Sequence, residues 1–125
     1  MHELSLAESL LQLIEEAAIK QNFTRVKTVW LELGQLTCVE QESLRFYFDV
    51  ITQDSIAQQA KLEFIAILGH GVCDHCHRSM FIASHHTICS HCGSYALTIT
   101  QGEEMRIKEL EVEEREDNYV YNLWM

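Results

Sequence analysis

Four of the five cysteines stand in two closely spaced pairs in the second half of the chain. Two residues separate Cys73 from Cys76 and Cys89 from Cys92, and twelve residues lie between the pairs. Each pair can form a tight turn that aims two thiolates at one point, and a hairpin of the intervening residues can bring the turns together. Four thiolates in a closed tetrahedron suit Zn(II), so the spacing predicts a structural zinc site at these four residues.

Other uses of these cysteines stay open at this point. They could form paired disulfides, remain unrelated thiols, or bind iron in a rubredoxin-like site. A closed four-sulfur site leaves no position for a substrate, so we expect no catalysis at this metal. His75, His77 and His91 lie within or beside the pairs, either as solvated residues and donors to sulfur or as ligands that replace a thiolate. His85 and His86 are expected at an exposed hairpin tip.

The first three residues, Met1, His2 and Glu3, offer a second set of metal ligands. A free α-amine, the amide nitrogen of residue 2 and the His2 imidazole can close fused chelate rings around one ion, and the amide of Glu3 can complete a planar set. Ni(II) and Cu(II) prefer such tetragonal nitrogen coordination. A histidine at position 2 is usually an accident of sequence, so the spacing alone does not establish the site.

Regular elements are predicted on both sides of the cysteine pairs. The pattern of residues 4–20 predicts an amphipathic helix. Its apolar face is formed by Leu6, Leu10, Leu13, Ile14 and Ala17. Its polar face is formed by Glu8, Gln12 and Glu15. A second helix is predicted over 41–53, and strands over 25–33, 61–68, 97–101 and 105–112. The strands before and after the cysteine-rich segment can pair, because the insert leaves the body and returns to it at one place. Cys38 is expected to be a small buried apolar residue.

The chain of 125 residues is long enough for one domain that carries a small insert. Residues 70–92 hold six of the seven histidines and four of the five cysteines but few large apolar residues, so bound zinc would supply folding free energy there. We predict an α+β fold, a small mixed sheet with two helices, interrupted by a zinc-ribbon-like domain. The expected divisions are 1–68 with 98–116, the insert 69–97, and a C-terminal tail 117–125.

Charge and hydropathy exclude several classes of function. Nine basic and 19 acidic residues give a net charge of −10, which disfavours nucleic acid and anionic membrane partners. No apolar run is long enough to span a bilayer, and the acidic start does not resemble a signal peptide, so we expect a cytoplasmic protein with reduced cysteines. The absence of a nucleophile elbow or phosphate loop indicates that the protein is not an enzyme.

Several of these motifs together resemble the HypA/HybF family of nickel metallochaperones for nickel–iron hydrogenase maturation. The resemblance covers about residues 1–114. It is carried by the Met1-His2-Glu3 start, the strand 29–34 with its Val-Trp-Leu-Glu-Leu-Gly sequence, the Cys38-Val39-Glu40 segment, the two cysteine pairs and the Gln-Gly-Glu-Glu-Met sequence at 101–105.

The resemblance implies a nickel domain with a zinc domain inserted into it. His2 would be the principal ligand of a transferable Ni(II), with backbone nitrogens of His2 and Glu3, and the carboxylates of Glu3 and Glu40 would lie near the nickel. The four paired cysteines would hold structural Zn(II). The implied partners are a hydrogenase-maturation GTPase, docking on the first helix, and the hydrogenase large subunit; urease is a further implied client.

Two points stay open in the sequence. A zinc-ribbon module for protein interaction or nucleic-acid association would show the same cysteine pattern, although its segment is poor in basic residues. The chain also departs from the family at residues 117–125, which could pack Tyr119, Tyr121 and Trp124 on the body or form a flexible tail.

Overall fold

The computed structural model of the chain describes residues 3–114 and 117–122. Within these ranges it contains two helices, seven strands and one 3-10 turn at Gln35–Thr37. In chain order the elements are α1 Glu3–Gln21, β1 Arg25–Gly34, α2 Gln41–Ile51, β2 Lys61–Ile67, β3 His70–Cys73, β4 Ser79–Phe81, β5 Leu97–Gln101, β6 Met105–Glu114 and β7 Asp117–Asn122. Two helices with two small sheets confirm the predicted fold class.

Helix α1 buries one apolar stripe along its length. The buried positions are Ala7, Leu10, Ile14 and Ala17, spaced three or four residues apart as on one helix face. The predicted apolar face differs slightly from the observed one. Leu6 and Leu13, which were assigned to it, are only half-buried, whereas Ala7 is buried. The predicted polar face is exposed, as expected.

The first sheet has the strand order β2-β1-β6-β7. Strand β1 is therefore central, and it alternates inward apolar residues with outward ones from Val29 to Leu33 as its sequence predicts. The expectation that the strands flanking the cysteine-rich segment pair with each other was wrong, because β1 lies between β2 and β6. Buried Thr28 of β1 donates from Oγ1 to Glu111 Oε1 of β6 over 2.8 Å.

Helix α2 packs against α1 and buries Leu44 and Phe48. It begins after Glu40, whose carboxylate accepts a hydrogen bond from the Glu42 amide and so caps the helix. It ends two residues earlier than predicted. At the end, Thr52 donates from its backbone and from Oγ1 to the Phe48 carbonyl.

The described residues divide into two compact units. One takes its residues from Met1–Leu31, Val39–Phe64 and Arg106–Met125, and the other comprises Glu32–Cys38 and Ile65–Met105. In the second unit Gly34 lies against Gly102, where a Cβ atom on Gly34 would stand 2.0 Å from the Gly102 carbonyl oxygen. Only glycine permits this approach, which is fixed by a hydrogen bond from the Leu36 amide to Gly102 O at 2.8 Å.

No helix in the described part of the chain is long and apolar enough to cross a bilayer.

Candidate metal centre

The second sheet, in the order β4-β3-β5, supports the cysteine pairs. Strand β3 ends at Cys73 and pairs antiparallel with β4 on one side and β5 on the other, with Cys73 in register with Leu97. A hairpin formed by the residues between the two pairs was predicted, and this was wrong. The one strand in that segment, β4, pairs with β3, which precedes the first pair. The β3–β5 ladder ends with Cys73 opposite Leu97, so it holds the first turn beside the chain that leaves the second turn.

The two cysteine turns share one backbone hydrogen-bond pattern. In each, the first cysteine donates its amide to the carbonyl five residues later: Cys73 to Arg78 at 2.9 Å, and Cys89 to Ser94 at 2.9 Å. Its carbonyl accepts the amide four residues later, from His77 at 2.8 Å or Gly93 at 2.9 Å.

The fifth residue of each turn adopts the left-handed conformation that this pattern requires. His77 has φ 64° and Gly93 has φ 77°. Glycine enters this region without strain, whereas a histidine does so at some cost. This repeated pattern was not predicted; Gly93, directly after the second pair, is the residue in the sequence that could have indicated it.

The turns bring all four sulfur atoms together. The Sγ atoms of Cys73, Cys76, Cys89 and Cys92 lie within 4.8 Å of one another, and they form the only group of three or more potential metal ligands among the described residues. Two Sγ–Sγ distances, Cys73 to Cys92 and Cys76 to Cys89, are 3.6 Å. Zn–S bonds of about 2.3 Å in a tetrahedron place sulfurs about 3.8 Å apart, so the donor set fits a tetrahedral four-thiolate ion.

The first cysteine of each pair is the better thiolate. The Cys76 amide, which donates to Cys73 Sγ over 3.4 Å, lowers the pKa of the Cys73 thiol against the opposing effect of burial. Burial likewise acts to raise the pKa of Cys89, but the amides of Cys92 and His91 outweigh it and lower the pKa to about 6. Amide donors stabilise negative charge on sulfur, so the backbone prepares these positions for a cation.

The second cysteine of each pair keeps its proton more strongly. The Arg78 amide acts to lower the pKa of Cys76, but burial and the thiols of Cys89 and Cys73 raise it. The Ser94 amide likewise acts to lower the pKa of Cys92. Burial and the neighbouring thiols outweigh it and raise that pKa to about 12. Four thiolates in one place repel one another, so the cluster shares protons until a cation replaces them.

The histidines beside the cysteine pairs are exposed. His75 and His77 face solvent, and His91 Nδ1 lies 3.1 Å from Arg78 Nη1, from which it accepts a hydrogen bond. His85 and His86 are also exposed, as predicted, although they lie in a turn closed by the Thr87 amide on the Ser84 carbonyl rather than in a strand hairpin.

Of the predicted nickel ligands, the structure describes only Glu3. Met1 and His2 are outside the described residues. Glu3 opens α1, and its Oε2 accepts a hydrogen bond from the Glu40 amide at 3.3 Å. The two acidic positions that the resemblance implies are therefore neighbours, at the start of α1 and the N-cap of α2.

The prediction for Cys38 was wrong. The residue is exposed, with its backbone in the left-handed region at φ 57° and its thiol on the Leu36 carbonyl at 3.8 Å. Its burial was inferred from residue type alone, and the turn after the 3-10 segment turns the side chain outward.

Comparison with known proteins identifies the family. The sequence model of a family described as "Hydrogenase/urease nickel incorporation, metallochaperone, hypA" matches residues 1–112. The chain belongs to the HypA family. This confirms the resemblance stated from the sequence.

Individual HypA proteins agree with the family match. The hydrogenase maturation factors HypA of Azotobacter chroococcum mcd 1 and Albidiferax ferrireducens are 51% and 52% identical over 113 residues, which cover 90% of this chain and 100% of each relative. The solution structure of the Ni metallochaperone HypA from Helicobacter pylori has a TM-score of 0.69 and 26% identity, covering 92% of this chain and 100% of that one.

Proposed function

We propose that this protein carries Ni(II) in the cytoplasm and delivers it during maturation of nickel–iron hydrogenase. The match to the HypA family over residues 1–112 is the observation that carries the proposal. The relatives named hydrogenase maturation factors match along their full length and cover 90% of this chain, which supports a role for both the helical part and the cysteine-rich part rather than for one module. Urease, which the family description also names, is a second client that the same chemistry could serve.

Nickel is proposed to bind at the chain start. The α-amine, the His2 amide and imidazole, and the Glu3 amide together form an all-nitrogen set, which Ni(II) accepts in square-planar or tetragonal geometry. The contact between Glu3 Oε2 and the Glu40 amide supports this location, because it fixes the residue after His2 to the N-cap of α2. A carboxylate pair at this place also attracts a divalent cation. A site at a chain start can release its ion more easily than a closed cage.

Zinc is proposed to occupy the four-cysteine cluster as a structural ion. The cluster offers four sulfurs and no further ligand position, which suits an ion that stays in place. We propose the insert 69–97 as the zinc domain and residues 1–68 with 98–116 as the nickel domain. The two metals would then have separate roles, Zn(II) in folding and Ni(II) as cargo.

Transfer is proposed to involve a hydrogenase-maturation GTPase and the hydrogenase large subunit. The proposed docking surface for the GTPase is α1, which begins at Glu3 beside the proposed nickel site. Its Ile19 is 83% exposed, an apolar side chain that gains by burial against a partner. The net charge of −10 favours a basic contact surface on that partner.

Titration of tag-free protein with Ni(II) tests the site. The wild type should bind one nickel with the ultraviolet-visible bands of planar nitrogen coordination. His2→Ala should lose this binding and those bands, and an added Gly-Ser before Met1 should do the same by displacing the amine. Both variants should retain one zinc per chain.

His86→Ala is the matched control, because it removes an exposed imidazole far along the chain from His2. Wild-type nickel affinity in the His2→Ala protein would refute the site. A deletion strain that makes active hydrogenase without this protein would refute the function.

A further inference from the structure

The C-terminal segment forms a strand that the sequence did not predict. β7 pairs antiparallel with β6 in an uninterrupted register from Glu109 opposite Asn122 to Glu114 opposite Asp117. It is the last strand in the order β2-β1-β6-β7, so it forms one edge of the sheet.

This strand lies beyond the part of the chain that the family accounts for. The family match ends at residue 112, before β7 begins at Asp117. The HypA relatives are covered in full by alignments of 113 residues, which leave a tenth of this chain unmatched. The HypA fold therefore does not depend on β7, which is an addition to its sheet.

Without β7, β6 would be the edge strand. Alternate residues of a strand direct their N–H and C=O groups to opposite neighbours, so about half of the backbone groups from Glu109 to Glu114 would lose their partners. Such an edge is a template for another extended chain.

The charge pattern of β6 restricts which strand can pair there. Its residues alternate between glutamates, at positions 109, 111 and 113, and the buried Leu110 and Val112. A second β6 strand would place glutamates opposite glutamates, which is destabilising. β7 avoids this at the three glutamates, because the residues in register with them are neutral: Asn122, Val120 and Asn118. Two acidic residues face each other at the end of the ladder, where Glu114 is in register with Asp117. Those in register with Leu110 and Val112 are Tyr121 and Tyr119.

We propose that the outer edge of β6 is a strand-binding site and that residues 117–122 are its resident occupant. β7 acts as a built-in cover, which closes this edge of the sheet to extended segments of other proteins. The cover depends on neither metal, so it stands independently of the function proposed above.

A peptide of residues 115–125 added to a chain that ends at Glu114 tests this inference. The shortened chain is close in length to the matched part of its relatives and should fold, which one zinc per chain and an unchanged circular dichroism spectrum would verify. The fluorescent peptide should bind it at a ratio of one to one. It should bind the full-length chain at least tenfold more weakly, because the tethered β7 competes at high effective concentration.

Proline substitutions provide the matched control. A peptide with Tyr119→Pro and Val120→Pro should not bind, because one of two adjacent amides must point toward β6 and proline has none. Hydrogen exchange adds a second readout. Alternate amides within Glu109–Glu114 should lose protection in the shortened chain and regain it with the unmodified peptide.

Equal peptide binding by the full-length and shortened chains would overturn the inference, as would the absence of binding to a folded shortened chain. If the shortened chain does not fold, the two prolines are placed in the full-length protein instead. That variant should then bind the unmodified peptide, and failure to do so would equally overturn the inference.

Discussion

Zinc binding at the four-cysteine cluster should depend on pH with a slope that the protonation of the thiols determines. The perturbation is a change of pH between 6.3 and 7.5 on reduced, metal-free protein. Each proton that zinc displaces lowers the apparent affinity tenfold for every unit of decrease in pH. The expected slope is therefore the number of protons held by the cluster before the metal binds.

The structure gives this number as two to three near neutral pH. Cys92, with a pKa of about 12, is protonated, and so is Cys76, whose pKa is raised above its ordinary value. Cys89, with a pKa of about 6, is largely thiolate at pH 7. The Cys73 thiol, whose pKa is lowered by the Cys76 amide, accounts for the difference between two protons and three. Going from pH 7.5 to 6.3 should then weaken zinc binding about 250-fold to about 4,000-fold, with the steeper dependence at the acid end as Cys89 takes up its proton.

Competition between the protein and a chelator of known pH-dependent zinc affinity measures the slope, under anaerobic conditions from pH 6.0 to 8.0. Proton release into weakly buffered solution counts the protons independently. A slope near four throughout would mean that all four thiols are protonated before zinc arrives, as in an unfolded segment. That result would refute the view that backbone amides prepare the Cys89 thiolate in advance.

Three further substitutions test other parts of the structure. Gly34→Ala should lower the free energy of unfolding by at least about 2 kcal/mol in urea titrations, because the new Cβ would stand 2.0 Å from Gly102 O. Gly93→Asn is its control and should lower that free energy far less, because a Cβ at Gly93 meets open space. His77→Gly should keep one zinc per chain by metal analysis, because the left-handed backbone at φ 64° suits glycine; loss of zinc would make the imidazole a ligand. Ile19→Asp should weaken binding of the GTPase in calorimetry without changing either metal stoichiometry, and unchanged GTPase affinity would move the docking surface off α1.

Local patterns predicted local structure well. The spacing of Cys73, Cys76, Cys89 and Cys92 was enough to predict their convergence, because two residues between cysteines favour one compact turn. The apolar period of α1 predicted the helix, but it favoured Leu13, which is half-buried, over the smaller Ala7, which is fully buried.

The non-local features were missed for a physical reason. Strand order depends on which edges meet in three dimensions, and nothing in the sequence of β2 or β6 indicates that β1 lies between them. Cys38 was assigned by residue type, whereas its exposure follows from one left-handed residue. β7 begins at the end of a run of charged residues, which was interpreted as a solvated segment. Its strand structure is established only by its pairing with β6, which the local sequence does not indicate.

The two cysteine turns repeat the same main-chain hydrogen bonds, which do not involve the side chains of the loop residues. These main-chain bonds do not depend on the identity of His75, Ser90 or His91, whereas Asp74, the fourth residue inside the loops, accepts a hydrogen bond from Thr98 Oγ1 at 2.6 Å. Substitutions at those three sites can therefore accumulate without moving the sulfur atoms. The four cysteines and their main-chain bonds can thus stay the same while the exposed loop residues change. Two homologues with identical cysteine clusters can therefore present different surfaces to their partners.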